Sequence, residues 1–368
     1  MKVAFDYQIF SSQRFGGISR YFFEMANHLA ALQQEQVSCL INSPVYTNHY
    51  LQHSNKELKI IGASVPAIPR IGRIYREINR FISKSAFLRW QPDIVHETYY
   101  SPKSVAPSGS KVVLTVYDMI HELYPECFST GDRTIEYKKI AVERADHVIC
   151  ISENTQNDLI RLLGVAPEKT TVVHLGFALI QSDQAVVALQ NRPFILYVGS
   201  RGGYKNFERL LEAYAAHPEL RDIYDLIAFG GGAFKAQELE MIRRLHVPLT
   251  QVRQMSGDDG VLAALYSQAA MFVYPSLYEG FGIPPLEAMS FNCPVACSST
   301  SSIPEVVGNA AIQFDPLDTE SIANALIGLI SDSALRAKLI ELGRARVAKF
   351  SWEQCAKQTL DVYRALLQ

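Results

Sequence analysis

The chain has 368 residues, of which 48% are hydrophobic and 20% charged, with a formal net charge of −2. This length exceeds one ordinary core and suits two domains of somewhat under about 200 residues each. The apolar content excludes a disordered chain, and the charge balance gives no case for nucleic-acid binding, which calls for an excess of Lys and Arg.

The opening, MKVAFDYQIF, runs directly into an apolar strand pattern without an apolar leader, so a cytoplasmic location is expected. No apolar run approaches the roughly 20 residues needed to cross a bilayer, so any membrane contact should be peripheral. The six scattered cysteines read as reduced, buried thiols.

In chain order, residues 3–7, 37–41, 94–96, 112–116, 147–151 and 171–174 are short apolar runs with the character of buried strands. Helical patterns such as 19–32 and 133–145 separate them, the alternation expected of a parallel doubly wound sheet. The segment 181–192 lacks a clear period and reads as a linker. A second alternating block follows, with strands at 194–199, 225–229, around Val252, and at 271–274, 294–297 and 311–314. The expectation is an α/β protein with an N-terminal domain over 1–180, a C-terminal domain over 193–350 and a closing helix over 351–368. Ligands of such sheets bind beyond the carboxyl ends of the strands, so the loops there are where function is sought.

One helical segment of the first block is unusual. Residues 70–90 put Ile71, Ile74, Ile78, Phe81 and Ile82 at helical spacing among Arg70, Arg73, Arg76, Arg80, Lys84 and Arg89, with a single Glu. Two readings stand: an interfacial helix that sits on an anionic bilayer and presents a lipid-linked acceptor, or an ordinary amphipathic helix with a solvated basic face.

The most informative stretch is PSLYEGFGIPPLE, residues 275–287. It follows a strand and leads into a helix, with Glu279 and Glu287 on either side of a glycine-containing turn. An ionised Glu only accepts hydrogen bonds, which suits pairs of sugar hydroxyls. Gly280 and Gly282 let backbone approach a ligand closely. Pro284 and Pro285 suit the first helical positions, and free N–H groups beyond them are expected to face a diphosphate.

This stretch resembles the E-x7-E motif of the retaining family 4 glycosyltransferases, which have the GT-B architecture of two Rossmann-like domains facing a central cleft. The resemblance implies that Glu279 contacts the transferred sugar and Glu287 the nucleotide ribose, with the Gly280-Phe281-Gly282 backbone lining the sugar and phosphate site. The segment YVGSRGGYKNF, residues 197–207, is similar to the family's diphosphate loop. Lys205 occupies the Lys position there, and Arg201 lies one residue after the usual Arg position, which Ser200 takes. Gly230 and Gly231, in a run of three glycines, match those framing the base, with a plain turn as the alternative.

In the first block, Gly16 and Gly17 resemble the family's loop that closes over the donor phosphates and borders the acceptor. Asp118 and His121 follow the strand at 112–116, and the resemblance implies that they position the acceptor or sugar. A structural histidine is the alternative for His121, and His96, at another strand end, ranks below it. No D-x-D triplet is present, and Asp258-Asp259 reads as a helix cap. No cofactor and no metal are therefore expected, since cations and helix N-termini can stabilise a leaving diphosphate.

The expected activity is transfer of a hexose from a nucleotide sugar to a saccharide or lipid-linked saccharide acceptor in surface polysaccharide or O-antigen assembly. GDP-mannose is the first donor expected from the resemblance to bacterial mannosyltransferases of the family. A UDP-sugar donor, an epimerase of the same architecture and a noncatalytic sugar-binding protein are the alternatives.

Overall fold

The computed structural model describes residues 1–32, 36–53, 57–66, 72–178 and 192–368. The linker segment expected at 181–192 lies outside the described residues apart from Arg192. The chain divides into two compact units, the first comprising Met1–Leu123, Phe128–Gly176 and Phe350–Gln368, the second Tyr124–Cys127 and Phe177–Lys349.

The first unit is built on β1 (Lys2–Phe5), β2 (Ser38–Tyr46), β3 (Lys59–Ser64), β4 (Ile94–Glu97), β5 (Lys111–Val116), β6 (His147–Cys150) and β7 (Thr170–Val172). They form one sheet in the order β3-β2-β1-β4-β5-β6-β7, and every pairing is parallel. β4 is buried throughout and β5 from Val112 onward, as expected where helices cover both faces of a parallel sheet. The edge strand β3 is mostly exposed although it carries Ile60 and Ile61. β2 runs on to Tyr46, past an irregularity between Asn42 and Val45, where Asn79 clasps the Val45 N–H and carbonyl at 2.7 and 2.8 Å.

The second unit has β8 (Phe194–Val198), β9 (Asp225–Phe229), β10 (Val252–Met255), β11 (Met271–Tyr274), β12 (Val295–Ser298) and β13 (Ile312–Phe314). They form a second all-parallel sheet in the order β10-β9-β8-β11-β12-β13. In both sheets the order reverses beside the first strand, at β1/β4 and at β8/β11. Each unit is thus a Rossmann-like doubly wound layer with its switch point at the loops after those strands. The final helix, Trp352–Leu367, belongs with the first unit; Ser351 caps it, accepting from the Gln354 N–H at 3.1 Å.

Candidate active site

Two loops of the second unit meet beyond the ends of β8 and β11. The Leu277 N–H donates to the Tyr204 carbonyl at 2.7 Å. Buried Asn206 donates from Nδ2 to the carbonyls of Pro275 and Pro316 at 3.0 and 2.7 Å. This stitching sets Lys205 against Glu279, with Nζ donating to Oε1 at 2.7 Å. The ammonium also lies 5.4 Å from the Tyr204 ring centroid and 5.7 Å from that of Tyr274. Burial, then the Glu279 charge, push the Tyr274 phenol well above its ordinary range, so it stays protonated beside that carboxylate. Lys205 and Glu279 keep 18% and 10% of their side chains exposed, so the pair is accessible from one side.

The Glu279 loop is held from below by the segment after β12. The Glu279 N–H donates to Ser301 Oγ at 3.0 Å, and that hydroxyl donates to the Glu279 carbonyl at 2.6 Å. Ser302 Oγ sits 2.8 Å from the carbonyl oxygens of both Glu279 and Phe281, and Thr300 Oγ1 donates to the Leu277 carbonyl at 2.9 Å. The run of hydroxyl residues Ser298 to Ser302 is the sequence signal for this brace.

Glu287 stands on the helix Ile283–Ser290 and accepts from the buried Tyr266 hydroxyl at 3.0 Å. That helix begins after Gly282, whose φ of +113° favours glycine. Pro284 and Pro285 occupy its second and third positions, which corrects one expectation. The N–H groups beyond the prolines fall in the regular helical ladder, so the donors at this end are those of Gly282 and Ile283, ahead of the prolines.

Arg201 requires a second correction, because its guanidinium is not available as a phosphate grip. Its side chain is only 1% exposed and pairs with Glu238, Nε to Oε1, at 2.7 Å. Its Nη groups donate to the carbonyls of Gly230, Gly232 and Ala233 at 2.8, 2.9 and 3.1 Å. Gly230, Gly231 and Gly232 have φ of +89°, +67° and +71°, and a Cβ on Gly231 would lie 2.8 Å from Arg201 Nη1. Arg201 therefore shapes the three-glycine turn. Asp258 caps the helix Asp259–Gln268, accepting from the Val261 N–H at 3.0 Å, as the sequence reading expected.

The remaining candidates lie in the first unit. Gly16 precedes the helix Gly17–Ala31, where Gln13 Oε1 accepts from the Ser19 N–H at 3.2 Å, and Gly17 is exposed. Asp118 accepts from the Ile120 N–H at 3.0 Å. His121 stacks on Phe128 with ring centroids 3.7 Å apart and brings Nε2 within 3.8 Å of Asp132. Burial and then the Lys138 charge lower its pKa below the usual histidine value, which favours the neutral ring, and its buried Nδ1 has no hydrogen-bond partner. Lys138, which the sequence reading passed over, is fully buried and donates to the Asp118 carbonyl and to Glu122 at 2.9 and 2.8 Å. A lysine on the apolar side of a helix, three and four residues before Ala141 and Val142, was the available signal. His96 is a structural residue: its two ring nitrogens lie 2.6 and 2.8 Å from the hydroxyls of Tyr363 and Thr115.

Residues 15–179 match the model of Glycosyltransferase Family 4, and residues 180–346 that of Glycosyl transferases group 1. The chain belongs to this glycosyltransferase family, and it has the GT-B fold. It is 28% identical over 374 residues to O-antigen chain mannosyltransferase B of Escherichia coli, covering 95% of this chain and 96% of that one. It is 32% identical over 282 residues to the serotype-specific mannosyltransferase WbdA of Escherichia coli, but spans only 34% of that longer protein and 70% of its own length. Among solved structures, sucrose-phosphate synthase from Thermosynechococcus elongatus aligns at a TM-score of 0.75 and 20% identity, covering 100% of this chain and 98% of that one.

Proposed function

We propose that this glycosyltransferase is a retaining, metal-independent mannosyltransferase that carries mannose from GDP-mannose to a saccharide acceptor, free or lipid-linked, in the assembly of an O-antigen or related surface polysaccharide. The observation that carries the reading is the Lys205–Glu279 pair beside the helix that bears Glu287. In it the donor diphosphate takes the Lys205 ammonium, with the Gly282 and Ile283 N–H groups as further donors, while Glu279 accepts from sugar hydroxyls and Glu287 from the ribose. As the bond from the anomeric carbon to the phosphate oxygen breaks and that to the acceptor oxygen forms, the hydroxyl proton passes to the departing diphosphate. Lys205 stabilises the charge that accumulates there, which is the term that matters most in such a transfer. Asp118 and His121 position the acceptor or sugar, and neither is asked to attack. The likeness to E. coli O-antigen chain mannosyltransferase B over 95% of the chain favours the sugar and the pathway.

A thermal-shift screen of GDP- and UDP-sugars tests the donor, because a ligand that binds only the folded state raises its stability by about 2.7 kcal/mol at 100 times its Kd. The account expects the largest shift from GDP-mannose, without added divalent metal. A shift confined to UDP-sugars overturns the donor assignment. Release of GDP only when an acceptor is present separates transfer from epimerisation.

A further inference from the structure

Tyr266, on the last turn of the helix Asp259–Gln268, is fully buried. Phe272 of β11 meets its ring nearly edge-on with centroids 5.5 Å apart. Phe291, the residue that closes the helix Ile283–Ser290, lies parallel to it at 6.0 Å. Packed in this way the ring holds one rotamer, and its hydroxyl donates to Glu287 Oε2 at 3.0 Å. Burial, then the Glu287 charge, push the phenol well above its ordinary range, so it keeps the proton it donates. A hydrogen bond from such a donor to a carboxylate is stronger than one between two neutral groups.

The choice of acceptor is informative. A buried phenol needs a partner, and a backbone carbonyl serves the purpose. Tyr197 and Tyr214, also buried in the second unit, donate to the carbonyls of Ser200 and Tyr224. Tyr266 turns instead to the side chain of Glu287, as Tyr274 does to that of Glu279. The two phenols stand behind the two carboxylates on either side of the glycine-containing turn. Glu287 is long and only half-buried, so without such a hold its carboxylate would sample orientations that a ligand must then restrict, at a cost in affinity.

We infer that Tyr266 is a positioning residue for nucleotide recognition, its hydroxyl fixing the Glu287 carboxylate in the orientation that accepts from the ribose. The inference rests on the ribose role proposed for Glu287 and adds the group that orders it before the nucleotide arrives. A ribose contact is the same before and during transfer, so the phenol acts on affinity rather than on the chemical step.

Binding of GDP and of 2′,3′-dideoxy-GDP to the full chain, measured by titration calorimetry, tests it; the corresponding UDP pair takes their place if the donor screen selects uracil. The wild type is expected to bind GDP at least about tenfold more tightly than the dideoxy compound. Tyr266→Phe keeps the ring and its packing. It should weaken GDP by about tenfold and leave the dideoxy compound within about twofold of the wild type. The donor KM should rise with kcat nearly unchanged. Glu287→Ala should erase the difference between the two nucleotides, and adding Tyr266→Phe to it should change nothing further. Equal weakening of both nucleotides by Tyr266→Phe, or additive losses in the double variant, would reduce the phenol to a core residue and overturn the inference. So would a Tyr266→Phe enzyme that discriminates as the wild type does. A wild type that binds both nucleotides alike overturns the ribose role of Glu287 and the inference with it; that result is seen without any variant, and so is told apart from failure of the phenol's role alone.

Discussion

The carboxylate of Glu279 and the ammonium of Lys205 satisfy each other at 2.7 Å, and a nucleotide sugar would exchange that contact for its own hydroxyls and phosphates. Glu279→Gln keeps the shape and removes the charge, while Lys205→Ala removes the cation that stabilises the leaving group. Each should lower kcat by on the order of 100-fold or more with little change in the melting temperature; near-normal turnover by the purified variants would refute the roles. Arg201 should behave in the opposite way. Arg201→Met leaves Glu238 and three carbonyls without their partner, so it should cost about 3 kcal/mol in a denaturant titration, the range for breaking a buried pair. The sequence placed an arginine in the correct loop, but a motif position says nothing about how many carbonyls a guanidinium finds nearby.

His96 makes a prediction of different sign. Burial lowers its pKa from 6.5 to about 3, so the folded protein refuses a proton that the unfolded chain takes up below 6.5. Stability from this residue is therefore complete above pH 6.5 and is lost as pH falls towards 3, by about 1.4 kcal/mol per unit. Glu97, raised to about 7 by burial against the pull of Arg144, opposes it between 4.5 and 7, where stability falls as pH rises. In chemical denaturation His96→Gln should be less stable than wild type at pH 7, and the gap should narrow at pH 4. A constant gap would contradict the buried neutral ring.

At the scale of elements, the three-glycine turn after β9 is held by Arg201 and has no room for a side chain at Gly231. Gly231→Ala combines a left-handed φ of +67° with a Cβ that meets Arg201 Nη1 at 2.8 Å. A loss of about 1–2 kcal/mol is expected, measurable as a lower melting temperature, with a larger loss of donor affinity. Elements legible in the sequence were those whose chemistry is fixed locally. The buried central strands are continuous apolar runs, and the Glu279 loop carries its glycines and its following helix in plain order. In the exposed edge strand β3 the apolar pair Ile60-Ile61 is cut short by Gly62, and β2 extends past the expected 37–41 because Asn42, Ser43 and Pro44 interrupt its apolar pattern. The helix Gly72–Trp90 was legible as amphipathic but not in its mounting: spacing gives an apolar side, and only packing shows which side the sheet takes.

For the whole molecule, two parallel sheets with reversed order beside β1 and β8 generate two sets of loops at strand ends, and the candidate residues fall in those loops or at the starts of the helices that follow them, with Glu287 further along its helix. The architecture could be read from alternation alone because parallel sheets require a helix between successive strands. What alternation cannot supply is chemistry across distant segments: the hydroxyls of Thr300, Ser301 and Ser302 under Glu279, Asn206 bridging to Pro275 and Pro316, and Lys138 under Asp118 all join residues that a local pattern does not connect.

The most direct measurement is a crystal structure of the chain with intact GDP-mannose bound. The account predicts the diphosphate on Lys205 and the Gly282 and Ile283 N–H groups, the mannose hydroxyls on Glu279 and the ribose on Glu287, with Arg201 still clasping the glycine turn. A donor seated away from Lys205 and Glu279, or bridged to the protein through a metal ion, would contradict it.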